Sequence, residues 1–285
     1  MEKLRIAVQK SGRLSEKSLA LFSECGISLE GGNGRLLAAS PDFPIEVLYL
    51  RDDDIPQYVY DGVADIGVVG ENVVWEKGKT LETALKLGFG KCRLSLAIPK
   101  AEEYKGVSYF QGKRIATSYP NILTKFLNEN KLTAEIHEIS GSVEIAPGIG
   151  LADSIFDIVS SGSTLFSNNL KEVEVIVNSE AVMVSHKTLS DAKRKILNDL
   201  IFRIQSVQKA KKNKYILLNA PNNKINDIIN ILPGMKSPSI VPLAKEGWSS
   251  LHSVIAEKDF WEVIEKLKQS GAEGILVVPI EKMIV

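Results

Sequence analysis

From Leu4 onward, short apolar runs alternate with amphipathic stretches, and most of the runs close on a turn rich in glycine, hydroxyl or charged residues. A buried strand followed by a helix-periodic segment is the unit from which open α/β sheets are built, so this rhythm already excludes all-helical and all-β folds. Leu4–Val8 reads as a strand, Ser15–Cys25 as a helix stopped at Gly26, and Ile45–Leu50 as a strand. Ile55–Asp61 opens a short helix, Asp65–Val69 is a buried strand bounded by Gly70, and Leu94–Ile98 is a strand closed by Pro99. A second series follows: strand Arg114–Thr117, helix Asn121–Asn130 behind Pro120, strand Ala134–Glu138, a helix around Leu151–Ser154 and strand Ile155–Val159. The chain has 285 residues, more than the about 100–150 of a common single domain. Two similar βα series therefore predict two lobes with a ligand cleft between them.

Strand-like Val173–Val177 and Ala181–Ser185 precede a long amphipathic helix from Ser190 to about Lys211, with Ile196, Leu200, Ile204 and Val207 at helical spacing. Its lysine-rich end, Lys209 to Lys214, fits a solvated terminus favoured by the helix dipole. The remainder reads β-α-β-β-α-β over Tyr215–Asn219, Ile225–Leu232, Ser239–Pro242, Trp248–Ile255, Asp259–Ser270 and Gly274–Pro279. That is the order of a ferredoxin-like module, a common effector or interaction domain.

Composition removes several function classes. The 35 Lys and Arg balance 35 Asp and Glu, so no global basic field attracts nucleic acid. Cys25 and Cys92 are too few for a disulfide framework, and His137, His186 and His252 supply no zinc spacing. Both thiols are expected reduced, in or near the core. Met1 to Val8 runs straight into a strand without an apolar signal segment, and no stretch reaches the about 18–20 apolar residues of a membrane span. A cytoplasmic protein with no membrane partner is the expectation.

The most informative loop is Asp157-Ile-Val-Ser-Ser-Gly-Ser-Thr164, which leaves a buried strand and enters a helix near Leu165. Ser160, Ser161, Ser163 and Thr164 offer hydroxyls, and Gly162 with the helix start offers free N–H groups, an arrangement that wraps a phosphate. The carboxylate of Asp157 suits the hydroxyls of an attached sugar. The same pattern also makes a plain N-cap, and sequence alone leaves both open. Glu144, in the similar turn Ser140–Pro147, is either a second grip on vicinal hydroxyls or a first-turn helix acid. In the first series Gln9-Lys-Ser-Gly-Arg13, Arg51-Asp-Asp-Asp54 and Gly70-Glu-Asn72 each follow a buried strand. One such charged turn is an ordinary solvated loop; three at successive strand ends point to a site. Three adjacent carboxylates cannot all face one metal, so one is expected to cap the next helix and another to meet Arg13 or a ligand.

Taken together these motifs, with Cys92-Arg-Leu-Ser-Leu-Ala97, Arg114-Ile-Ala-Thr-Ser-Tyr-Pro120, Gly141-Ser-Val-Glu-Ile-Ala-Pro147 and the closing Pro279-Ile-Glu-Lys-Met283, resemble the ATP phosphoribosyltransferase family in its long form. The resemblance implies a bilobal catalytic part like a periplasmic binding protein, with 1–95 plus about 184–210 as lobe I, 96–183 as the phosphoribosyl diphosphate-binding lobe II, and 212–285 as an ACT-like regulatory domain. It implies transfer of a phosphoribosyl group from 5-phosphoribosyl 1-diphosphate to ring nitrogen 1 of the adenine of ATP, at the start of histidine biosynthesis. Nitrogen 1 is unprotonated at neutral pH, so no general base is assigned and catalysis rests on positioning and electrostatics. Carried over, Ser160, Ser161, Gly162, Ser163 and Thr164 hold the 5-phosphate and Glu144 and Asp157 the ribose hydroxyls, while Lys10, Arg13, Asp54 and Glu71 are candidates for ATP and the diphosphate. Mg²⁺ is expected mainly on the diphosphate, with its protein ligands unassigned. Histidine is expected as feedback inhibitor around Asn219, Ser239 and Leu243, with AMP a further candidate and a dimer or hexamer as the assembly. Two rival readings are a sensing module without catalysis and an inactive regulatory subunit; the missing signal segment and the intact Asp157–Thr164 loop weigh against them.

Overall fold

The computed structural model describes residues 2–30, 36–232 and 234–284. Two compact units are present, Met1–Ser23 with Ile27–Leu197, and Glu24–Gly26 with Asn198–Val285. In the first, β1 (Leu4–Gln9), α1 (Arg13–Glu24), β2 (Leu37–Ala39), β3 (Ile45–Leu50), α2 (Ile55–Tyr60), β4 (Ile66–Gly70), α3 (Glu71–Lys77) and β5 (Glu82–Lys86) build one lobe. The chain then crosses into a second lobe through β6 (Cys92–Pro99), β7 (Arg114–Thr117), α4 (Pro120–Glu129), β8 (Glu135–Glu138), β9 (Ser154–Val159), α5 (Ser163–Ser167) and β10 (Leu170–Ser179). It returns as β11 (Ala181–Ser185) and continues as α6 (Asp191–Lys211).

The first sheet has the order β2-β3-β1-β4-β11-β5 and the second β10-β6-β9-β7-β8. β1 is parallel to β3 and to β4, with Ile6 opposite Val47 on one side and Ile66 on the other, so their carboxyl ends Gln9, Leu50 and Gly70 share one edge. β7 is parallel to β8 and β9, which puts the ends Thr117, Glu138 and Val159 on a common edge of the second sheet. Open α/β sheets bind ligands at such edges. The cores explain why these strands form. Ile55, Val59, Val69, Val73, Val182 and Val184 pack in the first lobe, and Leu94, Leu96, Phe110, Ile115, Leu123 and Phe156 in the second. Each such fully buried side chain contributes about 1.5–3 kcal/mol. Gly67 lets α2 lie close on β4: a Cβ there would sit 2.6 Å from Ile55 Cγ2 and 2.9 Å from Val59 Cγ2.

Several expectations change in detail. β6 belongs whole to the second sheet and β11 whole to the first, so both crossings come a few residues before the expected 95 and 183. The strands β2 and β5 were not foreseen, and β10 is longer than Val173–Val177. No helix forms around Leu151–Ser154. Val143–Ile145 makes one 3-10 turn, and the next stretch, broken by Pro147, Gly148 and Gly150, runs as turns into β9. There the carboxylate of Asp153 accepts from the Arg114 backbone N–H at 2.9 Å and from its guanidinium at 2.9 Å, tying the stretch to β7.

In the second unit, β12 (Asn213–Pro221), α7 (Ile225–Ile231), β13 (Ser239–Pro242), β14 (Trp248–Ala256), α8 (Phe260–Gln269) and β15 (Glu273–Pro279) give the β-α-β-β-α-β order. Its antiparallel sheet runs β13-β14-β12-β15, the arrangement of a ferredoxin-like module. Alternate residues Ile216, Leu218 and Ala220 face a core with Ile228, Leu251, Ile255 and Leu267. Cys25 is buried here, and burial pushes its thiol up to about 11. Among the described residues no helix is long and apolar enough to cross a membrane.

Candidate active site

The strand ends of the two lobes face each other across a cleft with two chambers. The larger, about 550 Å³, is lined from the first lobe by Gln9, Lys10, Arg51, Asp52 and Glu76, and from the second by Ser118, Tyr119, Glu138 and Ser140. The smaller, about 280 Å³, takes in Arg13, Lys17, Asn72, Lys91, Ile158 and Ser160. Gln9, Asp52 and Val73 belong to both, so the chambers join in front of β1.

The first-lobe wall is cationic for a topological reason. Lys10 directly follows β1 and Arg13 is the first residue of α1, so a parallel strand delivers both to its carboxyl end. Neither has an ion-pair partner among the described residues. The opposite wall is acidic and hydroxyl-rich. Asp157 lies near the end of β9, half-buried. Burial lifts its carboxyl to about 6, a backbone N–H bond opposes the rise, and the Glu144 charge adds to it, which brings the two acids electrostatically together. Ser160 and Ser161 follow, then Gly162 at φ +81, a left-handed turn that a side chain would strain. Ser163 and Thr164 begin α5, where Ser161 Oγ and Ser163 Oγ lie 2.9 Å apart. The loop is braced from behind. Arg93 on β6 donates to the Ser160 carbonyl at 3.2 Å and makes a two-pronged pair with Glu172 at 2.5 Å, while Ser95 Oγ donates to the same carboxylate at 2.6 Å.

Asp52 joins the walls. It sits half-buried in the 3-10 turn Asp52–Asp54, its Oδ1 buried with no hydrogen-bond partner, and burial followed by the Asp53 charge raises its carboxyl. Tyr119, on the other lobe, feels the Asp157 and Asp52 charges in that order after burial, all of which raise its phenol. The structure thus gathers Lys10, Arg13 and Ser160 about one cleft; Asp157, Glu144 and Ser161–Thr164 line neither chamber, although the Asp157 charge is felt by Tyr119 of the larger one. Asp54 and Glu71 line neither chamber. Asp54 is exposed at the N-cap of α2 and makes no capping bond, so the expected acid cap is absent. Glu71 starts α3 and pairs with Lys86 at 3.4 Å. Among the described residues no three His, Cys, Asp or Glu side chains gather as a metal cage.

The comparisons with known proteins agree along the whole chain. The family model described as ATP phosphoribosyltransferase matches residues 51–206, and that described as HisG, C-terminal domain, matches 210–282. An ATP phosphoribosyltransferase of Cytophaga hutchinsonii is 60% identical over 281 residues, 99% of this chain and 98% of that protein. One from Parabacteroides distasonis is 62% identical over 282 residues, 99% and 100% of the two. The chain belongs to the ATP phosphoribosyltransferase family. Among solved structures, the ATP phosphoribosyl transferase (HisG:HisZ) complex from Thermotoga maritima matches with a TM-score of 0.62 at 31% identity, over 71% of this chain and 98% of that one. A histidine kinase sensor domain with similarity to periplasmic binding proteins matches at TM-score 0.51 and 10% identity, over 73% of this chain and 90% of its own, and shows the shared bilobal fold alone.

Within this family member, sequence reasoning missed Asp52, Tyr119, Arg93 and Glu76. Arg93 and Tyr119 stood inside motifs that carried the resemblance, which was the available signal. In the C-terminal module, Asn219 on β12 stands opposite Ser250 and Ser239 on β13 opposite His252, while Leu243 follows β13 and donates its N–H to the Trp248 carbonyl. The module's apolar cavity of about 470 Å³, between α8 and β15, is lined by Phe260, Ile264 and Ile275 and by none of these three.

Proposed function

We propose that this chain is a pentosyltransferase that joins ATP to 5-phosphoribosyl 1-diphosphate, yielding 1-(5-phosphoribosyl)-ATP and diphosphate as the first step of histidine biosynthesis. The observation that carries the reading is the pairing of walls: Lys10 and Arg13, with no ion-pair partner among the described residues, line a cleft whose other wall carries Ser160, at the start of the turn that follows a half-buried Asp157 under the influence of the Glu144 charge. A phosphorylated sugar with a diphosphate needs both kinds of wall. Asp157 and Glu144 accept hydrogen bonds from the ribose hydroxyls, and the hydroxyls and N–H groups of 160–164 hold the 5-phosphate. Lys10 and Arg13 meet the diphosphate and the phosphates of ATP. The lone pair of adenine nitrogen 1 forms a bond to the sugar carbon as the carbon–oxygen bond to diphosphate breaks, with inversion. Sugar carboxylates fixed near the reacting carbon favour the cationic character that develops there.

Mg²⁺ fits this cleft as a passenger on the substrate. The unpartnered Oδ1 of Asp52 suits a contact to a metal-bound water, and among the described residues the dispersed acids do not form a cage. When bound, Mg²⁺ neutralises charge on the departing diphosphate. Lys10 and Arg13 orient that group, and the Arg93 brace keeps the phosphate turn in place. The C-terminal module is the regulatory part, with histidine as feedback inhibitor and AMP a second candidate. The chain works in the cytoplasm as a homo-oligomer, a dimer or hexamer. Exposed Tyr215, Leu276 and Val278, on neighbouring strands in register, supply an apolar sheet face for such assembly.

The test is absorbance-monitored formation of the N1-substituted adenylate from the two substrates with Mg²⁺ and pyrophosphatase, with and without histidine. Product that diminishes on adding histidine supports both parts. Folded protein that forms none under any condition overturns the transferase and leaves a binding module.

A further inference from the structure

The first turn of α4 lacks a cap of its own. Tyr119 at the N-cap makes no side-chain capping bond, and Pro120 at the first helical position has no N–H to offer. The next two amides are nevertheless satisfied, from the other lobe. Glu76 of α3 accepts the Asn121 N–H on Oε1 at 2.9 Å and the Ile122 N–H on Oε2 at 3.0 Å, and its backbone carbonyl accepts Asn121 Nδ2 at 3.0 Å. Glu76 is only 7% exposed, so these charge-assisted bonds act with little competition from water, and the anion sits where the helix dipole favours it. A second tie lies beside it. Asn72 Nδ2 donates to the Tyr119 hydroxyl at 3.2 Å, with Asn72 itself held by Ser179 Oγ at 2.8 and 3.0 Å.

These contacts lie at the cleft, where Glu76 and Tyr119 line opposite walls of the larger chamber. The chain crosses between lobes elsewhere, near Leu87–Phe89 and Ala181, where backbone bonds pair the two passages. Two lobes joined by a pair of strands can swing; two lobes also joined through a buried carboxylate on a helix end cannot swing without breaking it. We propose that Glu76 is a positioning residue that sets the aperture of the cleft, holding the α4 turn with Tyr119 at a fixed distance from Lys10 and Asp52. It touches no reacting atom. Its catalytic consequence rests on the transferase reading, whereas its effect on lobe geometry does not.

Spin labels attached through a ketone-bearing unnatural residue at positions 16 and 103, exposed on the first and second lobes, report the interlobe distance by pulsed resonance. Glu76→Ala is expected to lengthen and broaden the distribution in unliganded protein, Glu76→Gln to do so less, and Asn121→Ala least. In steady-state assays Glu76→Gln should raise KM for both substrates about tenfold while kcat at saturation stays within about threefold, because bound substrates draw the lobes together. If Glu76→Ala fails to fold, the Gln and Asn121→Ala proteins carry the test. An unchanged distance distribution overturns the proposal whatever the kinetics, leaving Glu76 a helix cap. A changed distribution with unaltered KM values overturns the positioning role. Inactive wild-type protein with a widened Glu76→Ala distribution overturns the transferase reading and leaves the aperture role standing.

Discussion

The two walls of the cleft differ in how their charges are kept. On the first lobe, Lys10 after β1 and Arg13 at the start of α1 are exposed, with no ionic partner among the described residues. On the second, Asp157 is held half-buried beside Glu144, its carboxyl raised to about 6. One wall offers exposed, solvated charge, the other partly desolvated charge. Solvated cations suit a highly charged diphosphate that arrives with its own counter-ion, where attraction at a distance matters more than geometry. A fixed acid pair suits neutral hydroxyls, which are read only through directional hydrogen bonds.

That difference can be broken most sharply at Asp157. Asp157→Asn keeps the shape of the side chain and removes the charge, and losing one charge-assisted hydrogen bond of about 3 kcal/mol corresponds to about 100-fold. Steady-state kinetics should show kcat/KM for 5-phosphoribosyl 1-diphosphate lowered by that factor, with KM for ATP little altered. Equal loss for both substrates would erase the division of labour between the walls. Titration tests the same residue without mutation. With a carboxyl near 6, about a tenth of Asp157 is ionised one pH unit lower, so the wild-type rate at subsaturating donor should fall about tenfold between pH 7.5 and 5. The Asn protein should lose that limb of its pH profile. On the cationic wall, Arg13→Ala or Lys10→Ala should raise KM about fivefold at low salt, and the penalty should shrink in about 0.5 M salt, since exposed charges are screened. A salt-independent loss would mean that these side chains act by fitted contacts instead.

How much of this was legible beforehand follows the range of the interactions involved. The βα rhythm, the cationic strand end Gln9–Arg13 and the Asp157–Thr164 turn are local patterns, and the structure forms the strands and the turn where the residues place them. The three acids Asp52–Asp54 are equivalent on paper. A 3-10 turn sends successive side chains about 120° apart, and only the fold turns Asp52 inward with a buried oxygen and leaves Asp54 exposed. The cap of α4 was illegible because its acid, Glu76, comes from 45 residues earlier on another lobe. The helix expected around Leu151–Ser154 failed for a nearer reason: Pro147, Gly148 and Gly150 break up the turns that lead into it, Asp153 is taken up by Arg114, and Ser154 already opens β9.

The smallest expected effect concerns stability, and its sign separates the walls again. Asp157 is near 6 when folded, against an ordinary value of 3.8. The folded chain therefore binds the proton more tightly than the unfolded one, and stability is lost as pH rises from about 4 through 6. Above pH 7 the charge persists in both states and the full cost of its partial burial is present. Asp157→Asn removes that cost, so the less active variant should be the more stable protein at pH 8, by on the order of 1–2 kcal/mol in denaturant unfolding. The advantage should shrink to a few tenths of a kcal/mol near pH 4 and vanish by about pH 3, where the wild-type acid is neutral in both states. Lys10→Ala and Arg13→Ala, which remove solvated charge, should shift unfolding by no more than about 0.5 kcal/mol at either pH. An Asp157→Asn protein less stable at pH 8 would mean that the carboxylate is better satisfied than its burial implies, and the contrast between a held acid and free cations would fail at its source.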